Sequence, residues 1–295
     1  MDVYREELWR ALQNVAAPDM IDIPPSKAQM MAKAAQNTFD GGRTVSWMEG
    51  QEKEWCAVRD IHTGHAVHVL SNRNRAALLP ELAKGLRLMA WISKRPLTWY
   101  WWDNPWVRVL PAGADPGPEH INGGWAIPGV PEVHVYRRED AHKVLLHESI
   151  HALLLDVRPS LVETALDEFE TALGRRLWPH LGECYTELFA AFLWSIVQPS
   201  LGAARKAWSA QLKCSETQAA QIWRRIRYSR QNEETNVFAY YVLKWVLMQH
   251  EEVLLGPNHS VSHWFRWFQE LRPRLDAMAS LESDESVKMS MTCGQ

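Results

Sequence analysis

The chain has 295 residues, 46% hydrophobic and 23% charged, which suits a globular protein of one large or two ordinary domains. Its net charge of −3 provides no basic field for nucleic acid or an anionic membrane surface. No run approaches ~18 uninterrupted apolar residues, so no membrane-spanning helix is expected.

The N-terminal stretch, Met1-Asp2-Val3-Tyr4-Arg5-Glu6-Glu7, is charged and lacks the apolar core of a signal peptide. Residues 3–16 and 26–39 read as helices, punctuated by Pro18, Pro24 and Pro25, with Ser26 as a cap. Gly41-Gly42 turns the chain, and 53–60 and 65–70 read as strands joined at Thr63-Gly64. Asn74 to Ser93 is an amphipathic helix with Leu78, Leu79, Leu82, Leu86 and Met89 on one side. Strands are expected at 97–102 and 106–110. In the first of them Trp99 and Trp101 face one way and Tyr100 and Trp102 the other. Such a cluster serves either an aromatic groove or core packing, and packing is the simpler reading.

Residues 111–131 are rich in Pro and Gly and read as loop, followed by a strand over 132–136. Helices are expected at 140–156, with Asp140 as cap and Pro159 as stop, then at 160–173, 181–197, 203–212, 216–229, 234–251 and 261–278. The polar end from about Ser280 reads as a disordered tail. The expected fold class is therefore α+β, a small mixed sheet followed by a mostly helical C-terminal part. The expected division is an N-terminal lobe at 1–95, a core at 96–200, a helical lobe at 201–279 and a tail at 280–295. Cys56, Cys184, Cys214 and Cys293 are scattered without CxxC spacing, which points to reduced thiols and a cytoplasmic compartment.

His147-Glu148-Ser149-Ile150-His151 carries the chemistry. Four residues turn a helix by about 400°, so both histidines lie on one face and can reach one metal ion. Glu148, one residue round, is placed to take a proton from a water activated by that ion. Two buried histidines and a buried glutamate are costly without a strong partner.

This HExxH pattern resembles the zincin metallopeptidases, and the resemblance implies Zn2+ as cofactor and peptide-bond hydrolysis. A catalytic zinc wants a third protein ligand. In the glutamate-ligand zincins it comes from a downstream helix. Between Glu183 and Val197 the only charged residues are Glu183 and Glu187, four apart in an otherwise apolar run, where buried carboxylates need a cation or a strong donor. The resemblance maps Glu183 to ligand and Glu187 to the residue that steadies a ligand histidine. The reverse assignment, and Glu170, remain open on sequence alone. Glu163, Asp167, Glu168 and Glu170 otherwise read as the solvated face of an amphipathic helix.

A donor to the developing oxyanion is expected among His180, Tyr185, Tyr228, Tyr240, Tyr241 and His263, with Tyr185 and His180 nearest the glutamate helix. Zincins bind substrate as an added strand on a sheet edge, and Gly123-Gly124 would permit that close approach. His62, His65 and His68 are poorly arranged for a second metal, since His65 and His68 point to opposite faces of a strand. The implied partner is a peptide or protein substrate, with no nucleic acid and no membrane, and oligomeric state is not legible. The alternative is a zincin-fold binding or structural module without catalysis, against which the intact Glu148 argues.

Overall fold

A computed structural model describes residues 2–50, 53–156, 163–178, 180–227, 232–255, 263–281 and 287–289. The fold is α+β, with a six-stranded mixed sheet and a helical C-terminal part. The chain divides into two compact units, one of Val3–Val107 with Asn122–Leu155, the other of Met1–Asp2, Arg108–Ile121 and Asp156–Gln295. One sheet takes strands from both sides of residue 95.

In the first unit the strands are β1 (Met20–Asp22), β2 (Glu54–Asp60), β3 (Ala66–Ser71), β4 (Thr98–Asp103), β6 (Gly124–Ala126) and β7 (Glu132–Val135), ordered β1-β2-β3-β4-β7-β6. β3, β4 and β7 run parallel, and β1, β2 and β6 complete the sheet antiparallel to their neighbours. The central parallel strands are covered on both faces, which is why β4 can read Thr-Trp-Tyr-Trp-Trp-Asp without a solvated side. Trp99, Trp101 and Trp102 are each at most 1% exposed, so the aromatic cluster is core and not groove.

One face packs against α4 (Arg75–Ile92) and α6 (Ala141–Ala152), with Trp99 and Trp101 stacked at 4.8 Å and His142 tilted against both. The other face buries Leu70, Tyr100 and Trp102 with Met30 and Ala34 of α2 (Lys27–Ala35) and Met48 of α3 (Arg43–Glu49). On that face His68, Tyr100, His134 and Trp125 stand in register across four strands and stack in series. α1 (Asp2–Gln13) is tied on where Arg87 donates to the Leu12 carbonyl at 2.9 Å. At the ends of β3 and β4 the buried Asp103 carboxylate takes forked donors from Arg73 and Arg138.

The second unit holds α5 (Pro118–Ile121), α7 (Glu163–Leu173), α8 (Glu183–Ile196), α9 (Leu201–Ile226), a π-helix (Phe238–Leu243) continuing into α10 (Lys244–Met248), and α11 (Trp264–Leu281). Phe169, Phe238 and Phe268 meet edge to face at 5.3–5.5 Å in its core. The pieces expected at 203–212 and 216–229 are one helix. Lys213-Cys214-Ser215 offers no Gly or Pro to interrupt its hydrogen bonds, and Ser200 caps its start by accepting from Ala203.

The tail expected from Ser280 is ordered in part: β8 (Val287–Lys288) pairs with β5 (Val109–Leu110), and the Met289 carbonyl accepts from the Tyr241 hydroxyl at 2.9 Å. Cys56 and Cys184 are buried free thiols, whereas Cys214 is disulfide-bonded, contrary to the expectation of four reduced cysteines. Among the described residues no helix is long and apolar enough to cross a membrane.

Candidate metal centre

α6 follows β7 directly, and its start is set by backbone and not by a side chain. Asp140 adopts φ 58°, in the left-handed region, and makes no capping hydrogen bond. The helix ends at Ala152 and not at 156, because Leu154 also turns left-handed, with φ 58°. The expected stop, Pro159, lies outside the described residues. All of α6 except His151 is buried.

Within that helix the Nε2 atoms of His147 and His151 converge to 3.3 Å, the rings meeting edge to face at 5.1 Å. One turn of helix has thus brought two lone-pair donors to a common point. Glu148 is 7% exposed and lies against the sheet edge. A Cβ on Gly124 would stand 3.0 Å from its Cγ, and 2.6 Å from both the His134 carbonyl oxygen and Val144 Cγ1. Only a residue without a side chain lets β6 lie this close.

β6 is an edge strand. The Gly123 carbonyl accepts from Tyr136 opposite it, so alternation turns the N–H and C=O of Gly124 and Ala126 away from β7.

Glu183 opens α8 in its first turn and is half-buried, and its Oε2 accepts from the Tyr240 hydroxyl at 3.3 Å. Glu187, one turn on, is fully buried with Lys244 Nζ 3.6 Å away. His147, His151 and Glu183 each offer one ligand atom, and these atoms lie within 4.8 Å of one another. Two imidazole nitrogens and a carboxylate oxygen are a donor set that fits a divalent transition metal. Among the described residues this is the only such group.

The remaining candidates are placed as follows. Glu170 Oε1 accepts from the Leu177 amide at 2.9 Å, closing the turn after α7. Asp167 and Glu168 are exposed, as a solvated face requires. Tyr185 is buried and stacks on Phe189 at 5.9 Å. His180 is exposed beside Trp178, at 6.5 Å between rings, and its carbonyl accepts from the Glu183 amide. Tyr241 serves the Met289 carbonyl, His263 stacks on Trp267, and Tyr228 lies outside the described residues. His65 Nδ1 accepts from the Leu97 amide and His68 stacks on Tyr100, both structural positions.

Lys244 is the residue that sequence reading passed over. Its signal was present: it is the one charged residue in the apolar run Val237–Met248, just as Glu183 and Glu187 are in theirs.

No protein-family model, curated protein or solved structure matches this chain.

Proposed function

We propose that the protein is a zinc-dependent metallopeptidase of the zincin type. The observation that carries this reading is the grouping of His147, His151 and Glu183 ligand atoms with Glu148 on the same helix as both histidines. His147 and His151 would hold the ion through Nε2 and Glu183 through a carboxylate oxygen. A zinc ion held there supplies Lewis-acid polarisation of the scissile carbonyl and lowers the pKa of a water toward ~7.

Glu148 does the proton work: its carboxylate accepts the proton of the attacking water and delivers it to the leaving amine. The peptide is held as an added strand along β6, by the outward N–H and C=O groups of Gly124 and Ala126. The absence of a side chain at Gly124 brings that strand within reach of Glu148. The substrate class is accordingly an extended peptide or protein segment.

Elemental analysis of protein purified without chelators is expected to give about one zinc per chain. Less than about a tenth of an equivalent would overturn the reading. Glu148→Gln is expected to keep its metal and lose about 10²–10⁴-fold in cleavage of a peptide library. Equal cleavage by the two proteins would remove Glu148 from the mechanism.

A further inference from the structure

Glu183 and Glu187 are one turn apart on α8 and share a face. Tyr240 and Lys244 are also four apart, at the junction of the π-helix and α10. The two pairs meet rung to rung: the Tyr240 hydroxyl on Glu183 at 3.3 Å, the Lys244 ammonium on Glu187 at 3.6 Å.

The rungs differ in kind. Lys244 and Glu187 are each 1% exposed, and a buried carboxylate and a buried ammonium each make the other tolerable. Tyr240 brings Glu183 a directed hydrogen bond and no charge. One oxygen of the carboxylate is thereby fixed in direction.

The backbone between the rungs is unusual. The Lys244 N–H donates to the Ala239 carbonyl, five residues back, where an α-helix would use the carbonyl four back. Such wide turns distort the helical register locally and recur at functional sites. Here the wide turn sets where the Tyr240 hydroxyl falls relative to the Lys244 ammonium.

We propose that Tyr240 is a positioning residue for the metal-ligating carboxylate of Glu183, held in register by a π-turn whose far end is pinned by the Lys244–Glu187 pair. The proposal rests on the reading of Glu183 as third ligand.

The test is zinc affinity of the full chain, by competition with a chromophoric chelator, alongside urea unfolding of the metal-free protein. Tyr240→Phe is expected to weaken the zinc Kd about 10–100-fold, as loss of a partner to a metal ligand does elsewhere. A second pair, Tyr240→Gln against Tyr240→Leu, asks the same question with and without a donor. The Gln variant is expected to bind zinc at least about fivefold more tightly than the Leu variant.

A Tyr240→Phe Kd within about twofold of wild type, with Glu183→Gln sharply weakened, would overturn the positioning role alone. So would equal affinity of the Gln and Leu variants, or a change confined to metal-free stability. Wild-type protein that takes up no zinc, or Glu183→Gln that binds it as well as wild type, would overturn the ligand assignment and this proposal with it.

Discussion

A side-chain carbon on Gly124 would meet Glu148 Cγ at 3.0 Å, so the sheet edge and the helix carrying the proposed base are in contact through a missing methyl group. The same carbon would stand 2.6 Å from the His134 carbonyl oxygen, which is backbone and yields little. Gly124→Ala must therefore push β6 off α6. A displacement approaching 1 Å costs about 10²-fold in a positioned reaction. We expect kcat/KM on a peptide substrate to fall by about that factor with zinc content unchanged. Steady-state kinetics with elemental analysis checks this, and full activity in the variant would separate β6 from the peptide.

The two histidines should be separable from the fold by metal removal. A zinc ion at a free concentration 100-fold above its Kd stabilises the folded chain by about 2.7 kcal/mol. Chelator is expected to lower the Tm of wild type and to leave the Tm of His147→Ala and His151→Ala unmoved. Differential scanning calorimetry with and without chelator measures it. A chelator shift surviving in both variants would place the metal elsewhere.

Stability should fall in acid through two buried histidines that are not among the proposed metal ligands. Burial holds His134 down to about 3, helped by Lys33, and His142 down to about 4, helped by Lys84 and Arg73. Both stay neutral in the fold, while the unfolded chain protonates them below ~6.5. Their contribution is present above ~6.5 and is lost as pH falls toward the folded values. Between pH ~7.5 and ~4.5 each should cost about 2–3 kcal/mol. The Glu233 carboxyl, held up to about 7 by burial, gains stability over the same range. Urea unfolding of the metal-free protein at the two pH values is therefore compared between wild type and His134→Phe, to isolate the His134 share. His134→Phe should remove about one proton from the acid slope, and an unchanged slope would mean that His134 is charged in the fold.

Gly85 on α4 is a packing test free of the proposed chemistry. A Cβ there would lie 2.4 Å from Cζ3 and 2.8 Å from Cε3 of Trp99, a ring wholly buried in β4. Overpacking of this kind costs about 1–3 kcal/mol, so Gly85→Ala should lower the urea midpoint. Adding Trp99→Phe should recover part of the loss. An unaltered midpoint in Gly85→Ala would show that α4 is free to slide on the sheet.

Local signals located much of this fold. Asn74 accepts from the Ala77 amide and starts α4 where the apolar period begins, and Thr63-Gly64 joins two strands that pair antiparallel. The HExxH face was legible because a four-residue spacing has only one helical meaning. Three features were not legible, for distinct reasons. The left-handed Asp140 and Leu154 are backbone states that neither residue advertises. The π-turn falls in Phe238–Leu243, where every residue is buried and no polar face remains from which to count a period. The strand order β4-β7-β6 depends on pairing across a connection of some thirty residues, which no local pattern encodes. Glu183, Glu187 and Lys244 were visible as isolated charges in apolar runs, but only tertiary structure pairs Lys244 with Glu187.

β6, β7 and α6 follow one another without interruption from Gly124 to Ala152. Their pairing and packing make this stretch a single mechanical part, in which the Gly124 edge, the strand behind it and the Glu148 helix share one foundation. A peptide pressing on that edge would be felt at Glu148 directly, with no other element in the path. Docking and proton transfer would then be governed by the same stiffness, and a substitution that softened β7 would blunt both together.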